Sequence, residues 1–510
     1  MRADDSTGTS GQDRKLARLL SGRLLARNVA WNLFGNGLPL IVALWAVPKL
    51  IRGMGTDRFG LLSIVWMGIG YFSLFDLGTG RALTKIVAER LGGGRESELP
   101  TLIHTGLRLM FALGSAAALI VAAVTPWLTG SVLKIPPKLV HEATWSFWIL
   151  AATLPFVVST AGLVGILQAH QRFATIVAVR VPTGVMSFLG PVLALVFTPS
   201  LIATTAVLAA SRVLSWLTYR WLSRDLCRGP RGEPGAVRTA ARELLSFGGW
   251  VTVSNVVGPL MVYCDRFVIG VMLSMTAVAY YTTPYDVIMR LSVISSALVS
   301  VLFPALTMAL TGNQARTGLI FSTASRVMLL GMLVPLAGIM LFAHEGLKLW
   351  LDPAFAQASS PVLRWLAVGV LINSLALLPY ALLQGKGRPD LTGKLHLLEL
   401  PFYALIIWVF IRRYGVVGAA ASWSLRVAID AVALYVLGMV YVPEIRRVQL
   451  KTVMLTAAAA LFLAALALPQ GPWLKAVIAL GTAVGAGGWM LRDVMVQFRG
   501  GGSREPGGVI

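Results

Sequence analysis

Long apolar runs without a charged side chain dominate this sequence of 510 residues. Four of them extend over residues 28–48, 109–133, 143–169 and 244–264. A helix of about 20 apolar residues crosses the roughly 30 Å hydrocarbon layer of a membrane. Since that layer offers no water to unpaired amide groups, the runs are expected to be helical. They exclude an ordinary soluble domain, and the composition of 56% hydrophobic and 13% charged residues agrees with this.

The chain also contains an internal repeat. Leu167-Gln168 and Arg172 recur as Leu383-Gln384 and Arg388 at a constant offset of 216 residues. Each copy follows one apolar run and precedes the next. Duplicated bundles of this kind are typical of secondary transporters, whose substrate site lies between the halves. We therefore predict an all-α polytopic membrane protein with two pseudo-symmetric lobes of six helices and an accessory C-terminal helix pair.

The apolar pattern predicts about 14 membrane-spanning helices. We expect them near residues 28–50, 59–80, 102–125, 143–167, 175–197, 201–222, 245–268, 278–303, 319–343, 362–383, 395–411, 416–441, 452–469 and 473–491. The predicted organisation is a basic amphipathic tail at 1–27, an N-lobe at 28–222, a linker at 223–244, a C-lobe at 245–441, accessory helices 13 and 14 at 442–491, and a second tail at 492–510.

The distribution of positive charge predicts the orientation in the membrane. If the N-terminus is cytoplasmic, 29 of the 44 Lys and Arg residues lie in cytoplasmic segments and nine lie on the other side. Cytoplasmic segments of membrane proteins carry such an excess, so both tails are predicted to be cytoplasmic. This explains the net charge of +22 better than nucleic-acid binding does, because no aromatic-basic motif accompanies the charge.

Several kinds of chemistry find no support in the sequence. The two cysteines have neither a disulfide framework nor metal-ligand spacing, and the five histidines form no ligand cluster. We interpret His170 and His396 as loop or interface residues rather than as proton relays. No catalytic triad and no nucleotide-binding motif is present. We therefore expect no catalytic residue, no metal and no cofactor, and we do not expect an enzyme.

Ionisable side chains inside the predicted spans are the first candidate functional residues, because such groups are costly in a membrane and tend to be functional. The candidates for ion pairing or coupling are Asp76, Arg212, Asp265, Asp286, Glu399, Arg426 and Asp430. Spacing of four residues predicts two pairs, Asp286 with Arg290 and Arg426 with Asp430. Each pair has two open interpretations, a packing pair that neutralises itself or a functional unit.

Symmetry and polar stripes add to this set. Arg212 and Arg426 occupy matching places in the two halves, which favours a shared structural or hinge role over direct substrate contact. Asn32 and Asn36, with Asn28, form a polar stripe on the first span, and Asn255 partly repeats it in the seventh. The matching placement favours lining of a cavity over hydrogen bonding between helices.

Four short motifs resemble the polysaccharide flippases. They are Phe72-Ser73-Leu74-Phe75-Asp76-Leu77-Gly78-Thr79-Gly80, the segment from Leu167-Gln168 to Phe173, Tyr263-Cys264-Asp265-Arg266-Phe267-Val268-Ile269-Gly270, and Leu302-Phe303-Pro304-Ala305-Leu306. The flippases export O-antigen and other lipid-linked oligosaccharides and belong to the multidrug/oligosaccharidyl-lipid/polysaccharide exporter superfamily. The resemblance covers about residues 28–440. It implies two lobes that face each other in a V, alternating access, and a place in the inner membrane of a bacterium.

The resemblance also implies an undecaprenyl-diphosphate-linked oligosaccharide as substrate. A diphosphate needs cations in a cavity of low dielectric constant, and arginine suits bidentate contact with phosphate. The predicted substrate-binding residues are Arg266, Arg290, Arg81, Asn32, Asn36 and Asn255. Membrane lipids are expected partners, and a glycan polymerase and glycosyltransferases are candidate partners. We expect a monomer and no nucleic acid.

Other functions remain open at this point. A cation-coupled multidrug exporter or a lipid II flippase would have the same fold. Exporters of cationic drugs need acidic cavities, whereas Arg266, Arg290 and Arg426 favour an anionic cargo. A polytopic glycan polymerase or ligase would be expected to carry a large outer loop. The longest predicted outer loop here, near residues 344–361, has only about 18 residues, which disfavours such an enzyme. A membrane scaffold without transport activity is disfavoured by the charged residues in the spans.

Overall fold

The computed structural model describes residues 22–71, 79–92, 95–227, 234–310, 314–468 and 471–501, and the described residues are helical throughout apart from short turns. The helices are α1 Gly22–Met54, α2 Thr56–Tyr71, α3 Thr79–Gly92, α4 Leu99–Trp127, α5 Val140–Ala152, α6 Leu154–Ala169, α7 Phe173–Phe197, α8 Leu201–Leu222, α9 Pro234–Met272, α10 Met275–Met289, α11 Ser292–Leu310, α12 Gln314–Trp350, α13 Pro353–Gly385, α14 Pro389–Tyr441, α15 Arg446–Ala465 and α16 Pro472–Gly501. The all-helical polytopic fold predicted from the sequence is confirmed.

Among the described residues, eight helical segments are long and apolar enough to cross a membrane. The total of 14 spans stays a prediction. One of the eight, Pro389–Tyr441, is 53 residues long and holds two of the predicted spans. They meet at Gly415, where φ is +59° and ψ is −138°. Only glycine adopts this backbone conformation without strain, so it supplies the sharp bend between the spans.

Two compact units divide the chain. The first comprises Met1–Gly130 and Pro137–Asn255, and the second comprises Ser131–Pro136 and Val256–Ile510. In the first unit, α4 packs against α6, and α7 packs against α1 and α8. In the second, α13 lies between α12 and α14, and its buried side chains form much of the core. The predicted boundaries of the lobes, linker and tails stay a prediction.

The repeated Leu-Gln and Arg segments form the same turn. At the end of α6, the Arg172 N–H donates to the Leu167 carbonyl over 2.8 Å; at the end of α13, Arg388 N–H donates to Leu383 carbonyl over 3.0 Å. The preceding residues, Gln171 and Gly387, have positive φ angles of 55° and 79°. This is the Schellman arrangement that ends a helix by satisfying its last carbonyls. The offset of 216 residues is therefore a repeat of backbone geometry.

Prolines inside the helices leave carbonyl groups without their usual partner, because proline has no N–H to donate to the residue four positions earlier. Side chains of other helices supply the missing donor at four such places. The bonds run from Trp66 to the Ser187 carbonyl (3.1 Å), Trp148 to Ala122 (3.1 Å), Ser359 to Tyr280 (2.9 Å) and Tyr435 to Leu375 (3.1 Å). In a membrane these donors matter, since no water replaces them.

The predicted eighth span, residues 278–303, is broken. It consists of α10 and α11, which are separated by a turn at Arg290 and Leu291. The N–H groups of both turn residues donate to carbonyls three positions earlier, at Val287 and Ile288. The predicted fourth span is likewise divided at Thr153, between α5 and α6. Spacing rules for a continuous helix do not carry across these breaks.

Candidate functional site

Charged side chains of α9 and α10 form the centre of the candidate site in the second unit. Asp265, near the end of α9, is fully buried and accepts a very short hydrogen bond from the Tyr281 hydroxyl of α10. It also accepts a bond of 2.7 Å from the backbone N–H of Arg266. Buried carboxylates require such donors, since they have left water.

Arg266 is the buried cation of this centre. The residue is 4% exposed, and its Nη2 donates to Asp286 Oδ1 over 2.6 Å. Its guanidinium also lies over the Tyr285 ring, 4.9 Å from the ring centre. The side chain of Asp286 is 47% exposed. The ion pair therefore joins a buried arginine to a carboxylate that remains accessible.

The predicted pair of Asp286 and Arg290 is not formed. Within the described residues, Asp286 pairs with Arg266 of the neighbouring helix, and no ion pair joins it to Arg290. Arg290 lies in the turn after α10 and is exposed. Arg290 is the C-cap of α10 and still has helical φ and ψ angles of −65° and −25°, so the spacing of four residues does not by itself decide the pairing. A buried guanidinium also gains more from a counter-charge than an exposed one.

A second charged cluster lies on α14. Arg426 Nη1 is 3.7 Å from Glu399 Oε2, and its guanidinium lies 5.3 Å from the centre of the Tyr403 ring. Asp430 Oδ1 is 3.6 Å from His396 Nε2. The predicted pair of Arg426 and Asp430 is thus replaced by two pairs whose partners come from the two segments of the bent α14. The bend at Gly415 turns these segments back on one another, which sequence spacing does not reveal.

His396 is a site residue that the sequence analysis missed. Its ring faces Asp430 and stacks on Tyr380, with ring centres 6.4 Å apart. Its spacing of three residues from Glu399, on one helical face, is the signal that points to it. Glu399 and Asp430 are both 7% exposed, so the two acids of the cluster are buried, whereas the His396 side chain is 34% exposed.

Aromatic side chains connect the two charged groups. Tyr281 stacks on Tyr285 at 5.6 Å, and Tyr285 meets Trp423 edge to face at 6.0 Å. Tyr403 is 1% exposed, and its hydroxyl has no hydrogen-bond partner among the described residues. The second unit thus contains a network of acids, arginines and tyrosines that is mostly buried and in which Asp286 is half exposed.

The other predicted residues are not brought into this network. Asp76 lies outside the described residues. Asn32, Asn36, Asn255 and Arg81 have described helical backbone, but their side chains lie outside the described part of the chain. Arg212 is in the first unit on α8, where Nη2 donates to the Ser187 hydroxyl over 2.9 Å. The described residues contain no group of three or more acidic, histidine or cysteine side chains that could hold a metal ion.

Similarity to known proteins extends over most of the chain. The chain is 29% identical over 416 residues to a putative O-antigen transporter of Shigella flexneri. The aligned region covers 80% of this chain and 96% of that protein. The fold of this chain is similar to that of the lipid II flippase MurJ in an inward closed conformation, with 11% identity, a TM-score of 0.68, and coverage of 92% of this chain and 100% of that one.

A multidrug resistance MATE family transporter of the MOP superfamily, in an inward-facing conformation, has a similar fold with 16% identity and a TM-score of 0.65. That likeness covers 81% of this chain and 95% of the other. At such identities the solved structures establish the fold alone. The family model described as polysaccharide biosynthesis protein matches residues 25–310, more than half of the chain. The chain therefore belongs to the polysaccharide biosynthesis protein family.

Proposed function

We propose that this protein is a flippase that moves an undecaprenyl-diphosphate-linked oligosaccharide from the cytoplasmic to the outer leaflet of a bacterial inner membrane. The observation that carries the proposal is the likeness of the chain, over almost the full length of the relative, to a putative O-antigen transporter. The family match over residues 25–310 supports the same class of substrate. The protein is then a transporter and not a glycan polymerase or ligase.

The charges of the second unit support an anionic cargo. Two of its buried acids have a cation or hydrogen-bond donors as partners: Asp265 accepts hydrogen bonds from Tyr281 and from the Arg266 N–H, and Glu399 lies 3.7 Å from Arg426. These partners reduce the negative charge that could attract a cationic drug. In the proposed cycle Arg266 and Arg290 contact the diphosphate, and the substrate anion exchanges with Asp286 at Arg266. Arginine suits this role because it keeps its proton when it leaves water.

Reconstituted transport tests the proposal. The purified protein is placed in vesicles that contain a fluorescent polyprenyl-diphosphate sugar, and a membrane-impermeant reagent quenches the label in the outer leaflet. Vesicles with the protein should lose the protected signal faster than protein-free vesicles. Lipid II and a cationic dye serve as alternative cargoes. Transport of the dye alone would contradict the proposal and favour a multidrug exporter on this fold.

Orientation is part of the same proposal. Both tails are proposed to be cytoplasmic, from the excess of Lys and Arg in the segments on that side. Reporter fusions after residues 227 and 510 should both give a cytoplasmic signal. A periplasmic signal at either position would contradict the topology.

A flippase for lipid-linked glycans is proposed to work beside glycosyltransferases and a glycan polymerase. It is also proposed to work as a monomer.

A further inference from the structure

The two arginines that occupy matching places in the repeat have different surroundings. Arg426 of the second unit lies 3.7 Å from Glu399. Arg212 of the first unit has no carboxylate within ion-pair distance among the described residues. The Nε atoms of both arginines are buried without a hydrogen-bond partner in the described part of the chain. The shared hinge role predicted from their positions does not explain this difference. Arg212 carries a charge that the described part of its own unit leaves unbalanced.

Neighbouring groups hold Arg212 in place without neutralising it. The Ser187 hydroxyl donates to the Thr183 carbonyl over 2.9 Å, so it accepts the bond from Arg212 Nη2. Pro191 frees the Ser187 carbonyl, and Trp66 donates to it over 3.1 Å. Trp66 also packs against Phe188, with ring centres 5.2 Å apart. Ser187 is thus a fixed acceptor at the meeting of α2, α7 and α8.

The guanidinium retains donors for a ligand. A guanidinium has five N–H donors, and the described contacts of Arg212 use one of them. The residue as a whole is only partly buried. Arginine remains charged in such a setting, and its planar donors fit two phosphate oxygens at once. A cation inside a membrane span is costly unless an anion accompanies it.

We infer that Arg212 is an anion-binding residue that contacts phosphate oxygens of the transported molecule. The inference rests on the proposed function and adds a residue whose position in the repeat suggested a hinge. Phosphate oxygens have two sources in a membrane, the diphosphate of a lipid-linked sugar and the headgroup of a phospholipid. The inference commits to the first, and the experiment separates the two.

The experiment measures binding to the full-length protein in detergent. Its probes are a short-chain polyprenyl-diphosphate N-acetylglucosamine, phosphatidylglycerol, and the polyprenol without phosphate. Arg212→Gln should weaken binding of the diphosphate sugar about tenfold, the loss expected for one charge-assisted contact. Arg212→Lys should weaken it less. The matched control is Arg108→Gln, which neutralises an exposed arginine of α4 in the same unit and should leave the affinity unchanged.

Thermal unfolding without ligand separates binding from structure. If Arg212 awaits an anion, Arg212→Gln should unfold at the same temperature as the unchanged protein or at a higher one, because a neutral amide is easier to bury. The diphosphate sugar should then raise the unfolding temperature of the unchanged protein and not that of Arg212→Gln. Unfolding of the ligand-free variant at a clearly lower temperature would identify a structural arginine and overturn the inference.

The remaining outcomes are also decisive. Equal affinity of Arg212→Gln and the unchanged protein for the diphosphate sugar would overturn the inference while leaving the proposed function intact. Loss of phosphatidylglycerol binding alone would assign Arg212 to a lipid headgroup and overturn it as well. If the unchanged protein neither binds nor moves the diphosphate sugar, the proposed function fails, and the inference fails with it.

Discussion

Arg266 of α9 and Asp286 of α10 are joined by a hydrogen-bonded ion pair with 2.6 Å between Nη2 and Oδ1. Twenty residues separate them in the chain, so the pair connects two consecutive helices rather than two turns of one helix. Arg266 is buried and Asp286 is half exposed. In the proposed function, the substrate anion exchanges with the accessible carboxylate, and the buried arginine stays in place.

Removal of Asp286 should affect stability much more than removal of Arg290. Asp286→Asn leaves Arg266 buried with a weaker partner, and we expect it to lower the free energy of unfolding by about 2 kcal/mol. This is less than for a fully buried pair, because Asp286 is half exposed and Asp265 still lies beside Arg266. Arg290→Gln should change the free energy of unfolding little. Unfolding in detergent measures both, and a larger effect for Arg290→Gln would contradict the assigned pairing.

The two copies of the Schellman turn allow a reciprocal exchange. Gln171→Gly should raise the free energy of unfolding by about 0.5 kcal/mol, because Gln171 has a positive φ that favours glycine. Gly387→Ala should lower it by about 1 kcal/mol through backbone strain alone, since an added Cβ at Gly387 meets no atom within 4 Å. Effects of the same sign at both positions would show that the turns are not equivalent.

The bond from Tyr435 to the Leu375 carbonyl can be tested together with Pro379. Tyr435→Phe should lower the free energy of unfolding by about 1–2 kcal/mol, since it leaves a buried carbonyl unsatisfied. In a Pro379→Ala background the same change should cost less, because the alanine N–H can donate to Leu375. Tyr414→Phe, at an exposed tyrosine of the same helix, is the control. An equal loss in the free energy of unfolding in both backgrounds would contradict the proposal that Tyr435 replaces the N–H that Pro379 lacks.

Thiol labelling tests the packing of Cys227, which follows α8 and is partly buried against the core of the first unit. Burial raises the pKa of the Cys227 thiol, while nearby Arg220 opposes the rise. Because the thiolate is the reactive form, maleimide labelling in a Cys264→Ser background should reach its half-maximal rate at a higher pH than in the detergent-unfolded chain. Arg220→Gln should move that pH higher still. A midpoint at or below that of the unfolded chain would contradict the burial.

Much of the fold could be predicted from the sequence because a membrane restricts the choice of structure. Uncharged apolar runs had to become helices, and the repeated Leu-Gln and Arg segments had to end equivalent helices. The break after α10 was missed, since no proline stands at the turn itself. Pro284 lies within α10, six residues before Arg290. The bend at Gly415 and the division at Thr153 are local backbone events that periodicity does not record.

The sequence predicts which residues lie in the charged network better than it predicts which of them form ion pairs. Asp265, Asp286, Glu399, Arg426 and Asp430 all lie in the charged network. Sequence spacing identifies neighbours on one helix, whereas the observed partners of Asp286, Arg426 and Asp430 come from another helix or from beyond a bend. Asp76 lies outside the described residues, and so do the side chains of Asn32, Asn36, Asn255 and Arg81.

The side chains that donate to carbonyls freed by proline have a consequence for the order in which these residues arose in the sequence. A tyrosine at position 435 is harmless while residue 379 still has its own N–H, because the carbonyl at 375 then has a helical partner. A proline that arises before the tyrosine leaves that carbonyl bare in a membrane. The donor is thus a permissive substitution, and the proline is the step that makes it indispensable. Ancestral chains are expected to contain the donors Trp66, Trp148, Ser359 and Tyr435 before the prolines that now depend on them.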